Sequence, residues 1–254
     1  MKIYTISIKR FKTRFEYISS HVLSKSKKEI INVGVDGYDL NLGQFSPNFN
    51  SGQIGCALSH IDAYRKLVES DDPCSFIVED DVLLPSYIDN LLDEIEGVIQ
   101  EDEIFFLYNR NITRCEYSNE NRINLKTGKL YMPMSTKNLR TAAAYVVGRV
   151  AAKRLSDFNQ NVVSIADNWN MFYENDTFSN PYVLVPNVIK MAQFPSTIGY
   201  SQNDSFLVKT IKQITNSLGV YSFVRKIRLS YLFWKKERNY KIVKSQSPYD
   251  KNKK

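Results

Sequence analysis

A chain of 254 residues with 43% hydrophobic and 24% charged side chains has the composition of a globular protein with one sizeable core. Three cysteines, Cys56, Cys74 and Cys115, form no CxxC pair, which argues against a disulfide framework and against a zinc site. The net charge of +7 is uneven: residues 206–254 hold 13 basic and 2 acidic side chains, and residues 1–205 hold 21 and 25.

In chain order, residues 2–8 alternate in polarity and predict a first strand, with no apolar core or cleavage site of a secretory signal. Phe11, Phe15, Ile18, Val22 and Leu23 fall at helical spacing. Residues 30–35 predict a second strand, closed by the turn pair Asp36-Gly37. Residues 38–51 read as irregular. Leu58, Ile61, Tyr64, Leu67 and Val68 mark the next helix, which Asp71-Asp72-Pro73 ends. Residues 75–78 form a short apolar run suited to a buried strand, and Glu79-Asp80-Asp81 follow it directly.

Ile88, Leu91, Leu92, Ile95 and Ile99 predict another helix, and residues 104–108 another strand. Residues 109–140 are polar and carry no assignable pattern. A strand over 142–147, a helix after Gly148, a helix over 165–174 and a strand over 182–185 complete the reading. Strands alternating with helices predict an α/β sandwich around a mostly parallel sheet. No window holds about 18 consecutive apolar residues, so no membrane-spanning helix is expected.

Three adjacent carboxylates at a strand's carboxyl end repel one another, and a divalent cation relieves that repulsion. Oxygen ligands favour Mn²⁺ or Mg²⁺, which also bridge phosphates. In extended backbone Glu79 and Asp81 share a side and Asp80 faces the other way. The pattern is therefore acid-x-acid, and a solvated acidic turn is its structural alternative.

Read together, five segments identify a likeness. Gly52-Gln53-Ile54-Gly55-Cys56-Ala57-Leu58-Ser59-His60 precedes the acidic trio. Ser7 to Arg14 follows the first strand, and Val35-Asp36-Gly37 the second. Residues 141–147 and then Asp167-Asn168-Trp169 come later. In this order the chain resembles glycosyltransferase family 25 over about residues 2–200. That family includes bacterial lipooligosaccharide galactosyltransferases and collagen galactosyltransferases. Two departures stand out: Ser7-Ile8 where the family has Asn-Leu, and Asn168 where it has a second aspartate.

The resemblance implies a GT-A-like, Rossmann-like nucleotide-sugar fold over 1–205. It implies inverting transfer of a hexose, galactose from UDP-galactose or alternatively glucose from UDP-glucose, onto a lipooligosaccharide acceptor. Asp81 and Glu79 are the candidate metal ligands, and Glu79 could instead hold the ribose. Asp167 is the candidate base, or alternatively the N-cap of the helix after it, with Trp169 beside a sugar face. Ser7, Arg10, Arg14, Asp36, Ser59, His60 and Asp80 are candidate donor-site residues. Cys56 and His60 share a helix face, but two further ligands for a metal are not evident, and a packed or hydrogen-bonded histidine is the other reading of His60.

Residues 206–244 interleave aromatic and basic side chains, including Arg225, Lys226, Arg228, Trp234, Lys235 and Lys236. That composition suits a helical segment lying on the anionic inner face of the bacterial inner membrane, with the enzyme facing the cytoplasm. A helical hairpin packed on the body is the alternative. Residues 245–254 read as a disordered tail. Two other classes remain on the residues alone: a metal-dependent phosphohydrolase built on the trio, and a nucleic-acid-binding protein using the basic tail. No nucleic-acid motif accompanies that tail, so no nucleic-acid partner is expected.

Overall fold

The computed structural model describes residues 1–192, 194 and 240–250. Its strands and helices alternate as the hydrophobic periods require. They are β1 (Lys2–Ile6), α1 (Lys12–Lys25), β2 (Ile30–Val33), α2 (Ser51–Glu69), β3 (Cys74–Glu79), β4 (Val82–Leu83), α3 (Ile88–Glu96), β5 (Ile104–Phe106), β6 (Glu116–Asn124), β7 (Lys129–Pro133), β8 (Ala144–Gly148), α4 (Arg149–Asn159), α5 (Trp169–Glu174), β9 (Pro181–Leu184), β10 (Lys190–Met191) and β11 (Lys241–Val243). Among the described residues, nine strands make one sheet in the order β11-β6-β7-β9-β5-β8-β3-β1-β2.

The sheet is mixed: β7 and β8 run against the other seven strands, so the expected common direction dominates without being complete. Each strand is buried on both faces where helices cover it. Tyr4 and Ile77 point into one core layer with Tyr64 and Leu67 of α2 and Ala152 and Leu155 of α4. Ile3 and Phe76 point into the other, with Ile18 and Val22 of α1 and Leu91, Leu92 and Ile95 of α3. This alternation across one sheet is the α/β sandwich that the sequence predicts.

The parallel trio β2-β1-β3 ends at one edge of the sandwich, and the loops there build the site. α2 starts with a reciprocal capping box between Asn50 and Gln53. It lies directly on the backbone of residues 35–37. A Cβ on Gly55 would stand 2.6 Å from the Gly37 nitrogen, and one on Gly37 would stand 1.8 Å from the Ser51 carbonyl oxygen. Only glycine permits that contact.

Four segments differ from the sequence reading. Residues 109–140, without a pattern in sequence, hold the β6–β7 hairpin and two 3₁₀ turns, Ile112–Arg114 and Thr136–Asn138. β4 and β10 form a small antiparallel ribbon that brings residues 190–192 across the end of β3. Residues 241–243, expected within a helical segment, instead add β11 in parallel to the edge strand β6. The tail beyond it, expected to be disordered, packs on the body as far as Asp250: Ser247 Oγ donates to the Pro133 carbonyl at 2.7 Å, and the Thr136 amide donates to the Tyr249 hydroxyl at 3.1 Å. Free edge backbone and these buried polar groups are what pull it in. The membrane-association residues Arg225, Lys226, Arg228, Trp234, Lys235 and Lys236 lie outside the described residues.

Candidate functional site

Two cavities meet at the carboxyl ends of β1, β2 and β3. The larger has a volume of about 770 Å³ and is lined by Arg14, Cys56, Glu79, Asp81, Arg110, Arg140, Thr141 and Asp167, among others. The smaller, about 80 Å³, lies between residues 6–14, the loop at 35–38 and the start of α2. Glu79, Arg14 and Cys56 line both.

The acidic trio divides as acid-x-acid spacing predicts. Asp80 turns away into buried contacts, accepting from Ser7 Oγ at 3.0 Å and Arg14 Nε at 2.7 Å. Glu79 and Asp81 face the large cleft. Arg14 Nη2 also pairs with Asp80 and reaches Asp81 Oδ2 at 3.0 Å. The other Asp81 oxygen, Oδ1, is buried without a hydrogen-bond partner among the described residues. Burial and the Glu79 charge push the Asp81 carboxyl up to about 7 against the pull of Arg14. Burial likewise raises Asp80, with Arg14 and Ser7 opposing. Burial and like charge thus outweigh Arg14 at Asp81. Carboxylate oxygens here suit a hard divalent cation, with Asp81 Oδ1 and Glu79 able to hold it.

Asp167 lines the same cleft, half-buried, and its Oδ2 accepts from the Thr141 amide at 3.2 Å. It is not a helix cap: Asn168 occupies the N-cap position of α5, and no side chain caps it. Thr141 has φ 77°, a left-handed conformation unfavourable for a β-branched residue. It is clamped from both sides, because the Trp169 indole donates to its carbonyl at 3.0 Å. Trp169 is fully buried against Phe106 and Tyr145, so it does not offer a face to a sugar.

Several expected donor-site residues serve each other instead. Arg10 bonds Asp36 at 2.5 Å and Asp39 at 2.6 Å, and its guanidinium lies 5.4 Å from the Tyr38 ring centroid. Asp36 also accepts from the Tyr38 amide, capping a 3₁₀ turn, Gly37–Asp39. The pair therefore shapes the loop at the smaller cavity, and neither side chain lines it. Ser59 is buried; its hydroxyl donates to the Gly55 carbonyl at 2.7 Å and accepts from the Val35 amide at 2.9 Å, stapling α2 to the loop after β2.

His60 lies under the cleft wall. Its Nδ1 meets the Tyr145 hydroxyl at 2.7 Å, and that hydroxyl meets the Tyr64 hydroxyl at 2.7 Å. Its Nε2 faces Glu79 Oε1 at 3.4 Å, outside hydrogen-bonding alignment. Tyr145 lies in the strand the sequence predicts over 142–147, and its hydroxyl orients His60. The sequence also lacks any sign that Glu79 joins Cys56 and His60, since it stands 19 positions after His60, at the far end of the next element. Arg110 and Arg140 are further cleft residues the sequence gives no reason to choose, because they sit in the patternless stretch.

Comparison with known proteins bears on the same residues. The model for glycosyltransferase family 25, described as an LPS biosynthesis protein family, matches residues 1–171. The lipooligosaccharide biosynthesis protein lic2B of Haemophilus influenzae is 25% identical over 209 residues, covering 79% of this chain and 71% of that protein. Among solved structures, an active-site mutant of LgtC covers 85% of this chain and 96% of its own, at 10% identity and a TM-score of 0.41.

Proposed function

Because the chain belongs to glycosyltransferase family 25, we propose that it transfers a hexose from a UDP-sugar, galactose first and glucose second, onto a lipooligosaccharide acceptor with inversion. The observation that carries the reading is that Asp81, with a buried oxygen unpartnered among the described residues, and Asp167 line one cleft. The lipooligosaccharide role printed for the Haemophilus influenzae relative supports the acceptor class.

Glu79 and Asp81 are the residues that would hold Mn²⁺ or Mg²⁺. Such an ion, when bound, supplies Lewis-acid charge against a leaving diphosphate. Arg14 adds a fixed positive charge beside the same carboxylates, and Asp80 and Ser7 hold its guanidinium in place. Asp167 takes the proton from the acceptor hydroxyl, with the Thr141 amide fixing its carboxylate orientation. The smaller cavity, walled by Val35, Gly37, Tyr38 and Gly55, suits the flat apolar face of a nucleoside. The basic segment 206–239 is the candidate membrane contact, by composition alone.

The direct test is incubation of metal-free protein with a lipooligosaccharide acceptor and a panel of UDP-hexoses, with and without Mn²⁺, followed by mass spectrometry. The expected product gains one hexose, from UDP-galactose, only when metal is present. Transfer that proceeds fully in chelator, or a donor other than a UDP-hexose, would overturn it.

A further inference from the structure

We propose that Cys56, His60 and Glu79 form a second cation site, a three-ligand seat for a borderline-soft ion of the Zn²⁺ class, in the wall between α2 and β3. Cys56 and His60 are four residues apart on one face of α2, and Glu79 ends β3 beside them. One ligand atom from each lies within 4.8 Å of the others. Ligands bound to one tetrahedral zinc at 2.0–2.3 Å stand roughly 3.3–3.8 Å apart, so closure needs a contraction of about 1 Å.

The state of His60 is the independent observation. The residue is 1% exposed, and Nε2 is buried without a hydrogen-bond partner among the described residues. Glu79 Oε1 stands near Nε2 but off the line along which the ring nitrogen would donate. Tyr145 meets Nδ1 at 2.7 Å, and with Nδ1–H donating to that hydroxyl, Nε2 carries the bare electron pair of a ligating histidine. A buried lone pair facing a thiol and a carboxylate is short of an acceptor for its electrons, and a cation provides one.

The donor set selects the ion. Thiolate and imidazole favour Zn²⁺ or Co²⁺ over Mg²⁺ and Mn²⁺, whose preferred ligands are all oxygen. Binding is coordination, and the Cys56 proton leaves to water as the bond to sulfur forms. Cys56 and Glu79 both line the cleft, so a fourth position opens toward it. The site shares Glu79 with the proposed Mn²⁺ or Mg²⁺ position but does not need Asp81, and it holds whether or not the transfer reaction is read correctly.

The experiment is a Co²⁺ titration of metal-free full-length protein under reducing conditions, read by absorption. The expected result is a thiolate-to-cobalt charge-transfer band saturating at one equivalent, displaced by Zn²⁺ and not by Mn²⁺ or Mg²⁺. Cys56→Ser removes the band, Cys74→Ser and Cys115→Ser keep it, and Tyr145→Phe weakens Co²⁺ affinity about tenfold. Asp81→Asn keeps the band while losing metal-dependent transfer. If the band persists and no UDP-hexose is used by wild type, the transferase reading fails and the cation site stands. Wild type without a band in excess Co²⁺, or a band surviving in Cys56→Ser, overturns the site.

Discussion

Two carboxylates of the trio meet different fates within one residue of each other. Asp80 has its charge answered by Ser7 and Arg14, while one Asp81 oxygen is buried with nothing among the described residues to answer it. Asp81 is therefore a cost in the metal-free fold. Its carboxyl is raised from 3.8 to about 7, so the native state binds more protons than the unfolded state between those values. Stability from this group is full below about pH 4 and is lost as pH rises through about 7. At ~1.36 kcal/mol per unit the loss has a ceiling of about 4 kcal/mol. In chelator, Asp81→Asn should gain several degrees in Tm over wild type at pH 8 relative to pH 5, and added Mn²⁺ should stabilise wild type alone. Parallel Tm–pH curves for the two proteins would refute this. Asp167→Asn preserves the shape of the side chain and removes the base, so kcat should fall about 10²–10⁴-fold with little change in fold stability. A loss within a few-fold would remove Asp167 from the reaction. The acid-x-acid split was legible because backbone alternation alone decides it. The pairing of Arg10 with Asp36, the burial of Trp169 and the approach of Glu79 to His60 were not, since each depends on which elements become neighbours.

At the level of elements, the walls of the site are set by backbone contact rather than by side chains. Ser51, Gly55 and residues 35–37 touch main chain to main chain, and Ser59 pins the same loop one turn further along α2. A methyl group at Gly55 has no flexible neighbour to displace, because the nearest atoms are the Gly37 nitrogen and the Val35 carbonyl oxygen. Gly55→Ala should therefore cost about 1–3 kcal/mol in overpacking and separate the nucleoside-side walls, raising the KM for the UDP-sugar more than it lowers kcat. Denaturant melts and initial-rate kinetics measure both, and a variant with wild-type KM would show that the contact is not part of the donor pocket. Glycines at 52 and 55 hint at such closeness in sequence, but their partner loop does not announce itself. Elements with one strong period were readable: the β1, α1, β2, α2 and β3 series appears in order with boundaries shifted by a few residues. The β6–β7 hairpin was hidden because outer strands with one wetted face read as polar, as in Glu116–Asn124, where only Tyr117 and Ser118 are buried.

On the scale of the whole molecule, the chain returns after residue 239 to finish its own sheet. β11 covers the free edge of β6, and the turn after it places the Ser247 hydroxyl on the Pro133 carbonyl and accepts the Thr136 amide on Tyr249. The basic segment is consequently bracketed by the body at both ends, which its composition could not reveal. Deleting 219–254 would strip the β6 edge as well as the charge, and lower stability for reasons unrelated to membranes. The decisive variant keeps the chain and changes Arg225, Lys226, Arg228, Lys235 and Lys236 to glutamine. Each basic side chain near an anionic surface contributes about 1 kcal/mol, so five together should reduce vesicle affinity by more than a hundredfold at low salt. Flotation with phosphatidylglycerol vesicles measures the loss, and an unchanged Tm shows that β11 still closes the sheet. The same variant should keep its rate on a soluble oligosaccharide acceptor and slow on acceptor embedded in vesicles. Undiminished flotation of the glutamine variant would mean that the positive charge of this segment faces something other than lipid.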